Sequence, residues 1–381
     1  MENIFIILAE GRIYLLLYAC LAAAMLIELF YENEIVSRWL ARAGMLAVIL
    51  LIGLRWETGT DWLPYLRVFY TNDTTSDYDA VVFGIDQGYI LFNRAIYALS
   101  TDYTWFLIVD AFIAMIPIYI FIEKSTKFPV MGVYLFYTSY AITHFMGSNR
   151  RMIAIGFVCL GFLYLSKNER LRTRWHRWAL PFGVAMFVHR TSLAALPGLL
   201  VSRKAWPTWA VIGGLLAALL LGMGGIPFTV LELLARSLAD FTGITAVEKL
   251  IFYTSGDAQL DAEFDVVRQA ILGVAKRSTV LAIFILFMRY GRPSEYAQRL
   301  FNIYIVGCAI YFALLGSPIF QVISTYYSIV EIVLIPIIFY SIPSFKIPYT
   351  LYLIIVPLFL LLSSLSPYLD LYVPYHSILN Y

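Results

Sequence analysis

Four short stretches of this sequence hold residue types that can do chemistry. In Gly53-Leu-Arg55-Trp-Glu57-Thr-Gly59-Thr60-Asp61-Trp62, Arg55 can bind an anion and Asp61 can take a proton from a hydroxyl. The same string also suits a capped loop–helix junction: Gly59 turns, Thr60 and Asp61 cap, Pro64 sits in the first turn, and Arg55 pairs with Asp61 or Glu57. In His144-Phe-Met-Gly-Ser148-Asn149-Arg150-Arg151, two adjacent arginines open an apolar run. Their fixed fork of donors fits phosphate or diphosphate oxygens, and the free N–H groups of a helix start add to an anion site. Snorkelling to lipid headgroups is the plainer alternative. In His189-Arg190-Thr191-Ser192, a neutral histidine can be a general base and the arginine can stabilise a leaving group; a satisfied core histidine is the competing reading. The fourth stretch, Asp257, Asp261, Glu263 and Asp265, could hold a divalent cation. Without a glycine-bearing loop or an Asp-X-Asp core it reads as a solvated face, so no metal site is expected. Walker loops, dinucleotide fingerprints, zinc spacings and Gly-X-Ser-X-Gly elbows are absent, which leaves nucleotide-driven and metal-dependent chemistry without support.

The elements that must position these groups follow from composition. Of 381 residues, 61% are hydrophobic, 17% aromatic and 14% charged, against about 25% charged in soluble domains. Disorder, collagen-like fibres and disulfide scaffolds are excluded. A net charge of +2 is too small for a nucleic-acid surface. Cys20, Cys159 and Cys308 lie singly inside apolar runs and read as packing residues. No cleavable leader is expected, because Glu10 and Arg12 interrupt the first apolar run. The class is a polytopic integral membrane protein that meets the lipid bilayer as its solvent.

Apolar runs here are continuous rather than alternating, so the spans are helices. They fall near 13–31, 39–54, 104–122, 128–146, 150–166, 207–222, 266–288, 299–315, 319–340 and 347–363. Placing the basic loop 166–177 in the cytoplasm also puts Arg38/Arg42, Lys124/Lys127, Arg203/Lys204 and Arg289/Arg292/Arg299 inside. Both termini and the segments 55–103 and 223–265 are then extracytoplasmic. Within the first of these, 80–99 contains Asp86, Gln87, Asn93 and Arg94, and counting it as a span would invert everything downstream. It reads instead as an interfacial amphipathic helix with Tyr89, Phe92, Ile96 and Tyr97 on its apolar face; a short span buried in protein is the alternative. Segment 178–202 is broken by His189 and Arg190, which are expensive at the centre of one lipid-exposed helix. A broken hairpin removes that cost and keeps both residues facing protein or water. The expectation is an all-α fold of about 10 spans plus a broken hairpin and an interfacial helix, as one membrane domain over 1–381.

Several of these strings, in this order, resemble the EpsG family of polysaccharide polymerases, relatives of Wzy-type polymerases. The residues are Gly53-Leu-Arg55 with Gly59-Thr60-Asp61-Trp62 and Tyr65, then Gly88-Tyr89 with Leu91 and Asn93, then Asn149-Arg150-Arg151-Met-Ile-Ala154, then His189-X-X-Ser192-Leu-X-X-Leu-Pro197. Arg151 stands where the family commonly has glutamine. Family members often carry an arginine before a tyrosine pair in a late span; here Gln321, Ser324 and Thr325 precede Tyr326-Tyr327, which leaves that role open.

The resemblance implies a fold similar to the GT-C membrane glycosyltransferases in the bacterial cytoplasmic membrane. It implies a reaction at the outer face in which a growing glycan leaves undecaprenyl diphosphate for a new lipid-linked repeat unit of exopolysaccharide, O-antigen or capsule. An activated donor needs no cofactor. On this reading Arg55 and Arg150 hold diphosphate, Arg151 and Arg190 support them, and Asp61 or His189 is the base. Flippase and chain-length regulator partners are implied as well. Competing functions are a lipid-linked glycan flippase or exporter, another GT-C transferase or ligase, and, less well supported, a membrane acyltransferase.

Overall fold

A computed structural model describes residues 2–71, 84–167, 175–242, 266–291, 293–315, 317–341 and 346–380. The acidic run Asp257 to Asp265, most of the basic loop 166–177 and the start of segment 80–99 lie outside them. Among the described residues the fold is all-helical; the one strand-like pairing is an isolated bridge between Arg55 and Ser377. The stretches read as spans are helical apart from breaks within 319–340, but fewer than the expected ten have the length and apolarity of a membrane span. Among the described residues, six helices are long and apolar enough to cross a membrane: Arg12–Tyr31, Glu34–Gly53, Tyr103–Ser125, Ala270–Met288, Val322–Phe339 and Tyr349–Tyr372. A seventh candidate is the pair Thr208–Met223 and Ile226–Leu234, bent by 67° at its break.

The chain divides into two compact units, one of Met1–Leu193 with Glu331–Tyr381 and the other of Ala194–Val330. In the first, helix boundaries follow local chemistry. Arg12–Tyr31 stops where Glu32 enters the left-handed region, and Asn33 restarts the chain by accepting the N–H groups of Ile35 and Val36. Glu28, buried near the end of the first of these helices, accepts the N–H groups of Val130 and Met131 at 2.9 and 2.8 Å. It thus caps Pro129–Phe136 from another helix, at a start where Pro129 has no N–H to lose. That helix loosens into a π-helix over Tyr137–Met146, then turns at Gly147 into Asn149–Lys167. The core is formed by Tyr14, Met25, Val48, Phe106, Ala114, Tyr134, Phe136 and Ile155, all with less than 1% exposure.

Segment 80–99 resolves into a helix over Gln87–Leu99, 13 residues and about 20 Å long, too short to cross the hydrocarbon core. Its packed side differs from the expected stripe. Gly88, Tyr89, Ile90 and Asn93 are buried, whereas Ile96 and Tyr97 are half-buried. Asn93 tolerates burial because its amide donates to the Tyr89 carbonyl one turn back. Segment 178–202 breaks at its charged pair: an α-helix over Trp175–Val188 ends at His189, and a 3₁₀ stretch over Arg190–Leu200 follows. A 3₁₀ run this long is uncommon.

In the second unit, Asn302 on helix Glu295–Ala313 donates to the carbonyls of Ser202 and Lys204, and Arg299 donates to that of Leu199. Tyr327 ties back to the Ala194 carbonyl at 2.6 Å. The stretch read as one span at 319–340 is interrupted into Pro318–Gln321, Val322–Ser324, Thr325–Ser328 and Glu331–Ser341. Ser324, bonded to the Gln321 carbonyl at 2.7 Å, tightens the chain there.

Candidate active site

The site grows from the start of helix Gln87–Leu99. Asp86 occupies the cap position but makes no side-chain cap bond; its carbonyl accepts the N–H groups of Tyr89 and Ile90 instead. The carboxylate is thereby free for other partners. One oxygen takes Nη1 of Arg150 at 3.2 Å and Nδ1 of His189 at 3.1 Å, and the other takes Nε of Arg190 at 3.3 Å. The Arg190 backbone N–H also donates to this carboxylate. The side chains of Asp86, His189 and Arg150 are 9%, 11% and 18% exposed, whereas that of Arg190 is 71% exposed.

Each partner arrives for a local reason. Arg150 is the second residue of helix Asn149–Lys167, directly after the Gly147 turn. It is steered further by Nε to the Tyr65 hydroxyl and Nη1 to the Gly84 carbonyl, both 3.2 Å. His189 and Arg190 sit where Trp175–Val188 gives way to the 3₁₀ stretch. Gly88 permits the approach: a Cβ there would stand 2.3 Å from the Phe187 carbonyl oxygen, so only glycine lets this helix start reach the end of the other.

Asp61 is placed at the start of helix Trp62–Tyr70, partly buried and without a side-chain cap bond. Burial raises its carboxyl above the ordinary value, against the opposing pull of Arg151, Arg150 and the Thr60 hydroxyl. Asp86 is different: burial also pushes it up, but the hydrogen bond from His189 and the nearby charges bring its carboxyl below the ordinary value. Three guanidiniums, on Arg150, Arg151 and Arg190, thus face two carboxylates, on Asp61 and Asp86. The surplus positive charge suits an anionic ligand.

The loop carrying Asp61 is fixed on two sides. Gly59 has φ of 110°, and a Cβ there would lie 2.3 Å from the Met146 carbonyl oxygen. Thr60 donates to the Gly147 carbonyl at 3.2 Å. From the other side, the C-terminal segment straps the loop: Trp56 N–H donates to His376, Gly59 N–H to Leu371 and Ile378 N–H to Leu54.

Arg55 is not brought to this cluster. Only 1% exposed, it donates to the Ile52 carbonyl and, at 2.7 Å, to Oδ1 of Asn149. Neither Glu57 nor Asp61 forms an ion pair with it among the described residues. The opposite charge its field reaches is Asp110, fully buried on helix Tyr103–Ser125. Arg55 is therefore a buried arginine held by the Ile52 carbonyl, and it touches the site through Asn149, the residue before Arg150.

Of the residues singled out in the sequence, Arg150, His189 and Arg190 meet directly, while Asp61 and Arg151 stand beside them by their fields. Asp86, the group that joins them, was visible only as a polar interruption of an apolar window. Asp110 was equally overlooked inside a span. Both are carboxylates where lipid would penalise them, and that was the available signal. No group of His, Cys, Asp and Glu residues suited to a metal ion occurs among the described residues.

No curated protein and no solved structure matches this chain. A family model, that of the EpsG family, matches residues 38–377 and so takes in Asp61, Asp86, Arg150, Arg151, His189 and Arg190. With the six apolar helices that match marks an integral membrane protein, and the chain belongs to the EpsG family, a family of Wzy-type polymerases.

Proposed function

We propose that this protein polymerises undecaprenyl-diphosphate-linked oligosaccharide repeat units into a surface polysaccharide at the outer face of the bacterial cytoplasmic membrane. The observation that carries the proposal is the convergence of Arg150, Arg190 and His189 on Asp86, beside Asp61 and Arg151. Charge develops on the departing diphosphate, which preorganised guanidiniums stabilise. The attacking sugar hydroxyl loses a proton, for which His189 and Asp61 are the available bases. Because the donor is already activated, no nucleotide enters. The topology read from the Lys/Arg-rich loops is in keeping with an outer-face reaction, since with those loops inside it sets the turn at Gly147 and the loop at Gly59 on the same external side. Flippase and chain-length regulator partners would supply the repeat units and limit the product.

The test is extension of purified lipid-linked repeats by the purified protein in liposomes. A ladder of evenly spaced products supports polymerisation, a single added sugar indicates another transferase, and transfer of a finished chain to a different acceptor indicates a ligase. Movement of substrate between leaflets without lengthening indicates a flippase. Arg150→Ala is expected to lower kcat about 10²–10³-fold, as loss of one preorganised donor does. Wild-type rates from a folded Arg150→Ala protein would overturn the site.

A further inference from the structure

We infer that Asp86 and His189 form a working dyad, in which Asp86 is the positioning residue and His189, through Nε2, is the base that accepts the proton of the attacking sugar hydroxyl. The inference rests on the polymerase reading and resolves the choice it leaves between Asp61 and His189.

The geometry makes the assignment. An ionised carboxylate only accepts hydrogen bonds. At 3.1 Å from Asp86, Nδ1 of His189 must therefore carry its hydrogen, and the neutral ring keeps its lone pair on Nε2. The dyad is shielded, with about a tenth of either side chain exposed. It is also held from three directions. Arg150 reaches Asp86 from helix Asn149–Lys167, Arg190 reaches it from the 3₁₀ stretch, and the Gln87–Leu99 helix fixes the backbone of Asp86. The charged groups acting on the ring are Asp86 itself and, with like charge to an imidazolium, Arg150 and Arg151. Among the described residues Asp61 has the Thr60 hydroxyl beside it but no carboxylate–imidazole bond of this kind. Its field partners are the same two arginines, which marks it as their counter-charge.

In the reaction so assigned, the acceptor hydroxyl oxygen bonds to the donor anomeric carbon while the bond from that carbon to the diphosphate oxygen breaks. The lipid diphosphate leaves with the electron pair. The hydroxyl proton goes to Nε2, and the resulting imidazolium is stabilised by Asp86 until the proton returns to water. Arg150 is thus shared, through separate nitrogens, between the dyad and the Tyr65 hydroxyl.

The test compares wild type, Asp86→Asn, Asp86→Glu and Asp61→Asn as full chains in liposomes, with a lipid-diphosphate oligosaccharide as probe, over about pH 5 to 9. Asp86→Asn is expected to lower kcat about 10²–10⁴-fold with KM held, as loss of the orienting carboxylate does elsewhere. Its acid limb should move to lower pH, because the imidazolium has lost its anion. Asp86→Glu should recover part of kcat, and Asp61→Asn should lower the rate without moving the limb. A loss confined to KM, with the limb unmoved, would mean that Asp86 only holds the arginines, and would overturn the dyad. If wild type extends no repeats, the polymerase reading fails and a chemical readout decides the dyad. Carbethoxylation of His189 by diethyl pyrocarbonate, resolved by peptide mass spectrometry from the other three histidines, should show a midpoint at lower pH in Asp86→Asn. An unchanged midpoint overturns it.

Discussion

At the residue scale, the buried charges separate into two sets with different consequences. Arg55 and Asp110 are 1% and 0% exposed and feel each other's fields inside the first unit without a direct bond. Arg55→Met removes the donor to the Ile52 carbonyl and to Asn149 and should destabilise by about 1–3 kcal/mol. Arg55→Met combined with Asp110→Asn should recover part of that loss, read by thermal unfolding in detergent; equal losses from single and double variants would contradict the coupling. Asp86 contributes differently. Its folded-state carboxyl lies below the ordinary value, so its stabilising share is complete above about pH 4 and is lost as the pH falls through that lowered value. Melting in acid should steepen accordingly, and Asp86→Asn should flatten the acid limb of the stability curve. Sequence alone exposed Arg150, His189 and Arg190, because each ionisable group in an apolar chain needs a reason. It could not join them: Asp86 lies 64 positions from Arg150 and 103 from His189, and spacing says nothing across such distances.

At the element scale, helices were legible because continuous apolar runs admit no other structure in lipid. Interruptions were legible only where a charge marked them, as at His189. Those at Gly147 and around Ser324 depend on small and hydroxylated residues that hydropathy barely registers. The short helix Gln87–Leu99 shows what such elements do: it delivers one carboxylate to the ends of two longer helices. Gly88 is the contact on which that delivery depends. Gly88→Ala would force a Cβ to within 2.3 Å of the Phe187 carbonyl oxygen and must displace one element from the other. The expected result is destabilisation of about 1–3 kcal/mol together with a fall in polymer synthesis like that of Asp86→Asn. A variant that is destabilised yet fully active would show that Asp86 and His189 need not meet.

At the scale of the whole molecule, the proposed orientation can be read directly. In a cysteine-free background, Thr101→Cys should react with an impermeant thiol reagent added outside intact cells, and Lys127→Cys only after the membrane is opened; the two residues flank the helix Tyr103–Ser125 and are both exposed. The reverse pattern would invert the topology and move the charge cluster to the cytoplasm. The division into two units was not legible in the sequence, since hydropathy is alike throughout and the boundary falls inside the 3₁₀ stretch at Leu193. Nor was the closing of the first unit by the far end of the chain, where Leu371, His376 and Ile378 bond to residues 54–59. That closure has a consequence for how the protein is made. Every charged group of the cluster lies within residues 61–190, whereas the bonds that strap the Asp61 loop come from residues 371–378, made last. A nascent or prematurely terminated chain therefore holds the reacting groups without their final register. On the proposed function, such a chain is expected to extend lipid-linked repeats more slowly than one carrying residues 371–378, read in the same liposome assay.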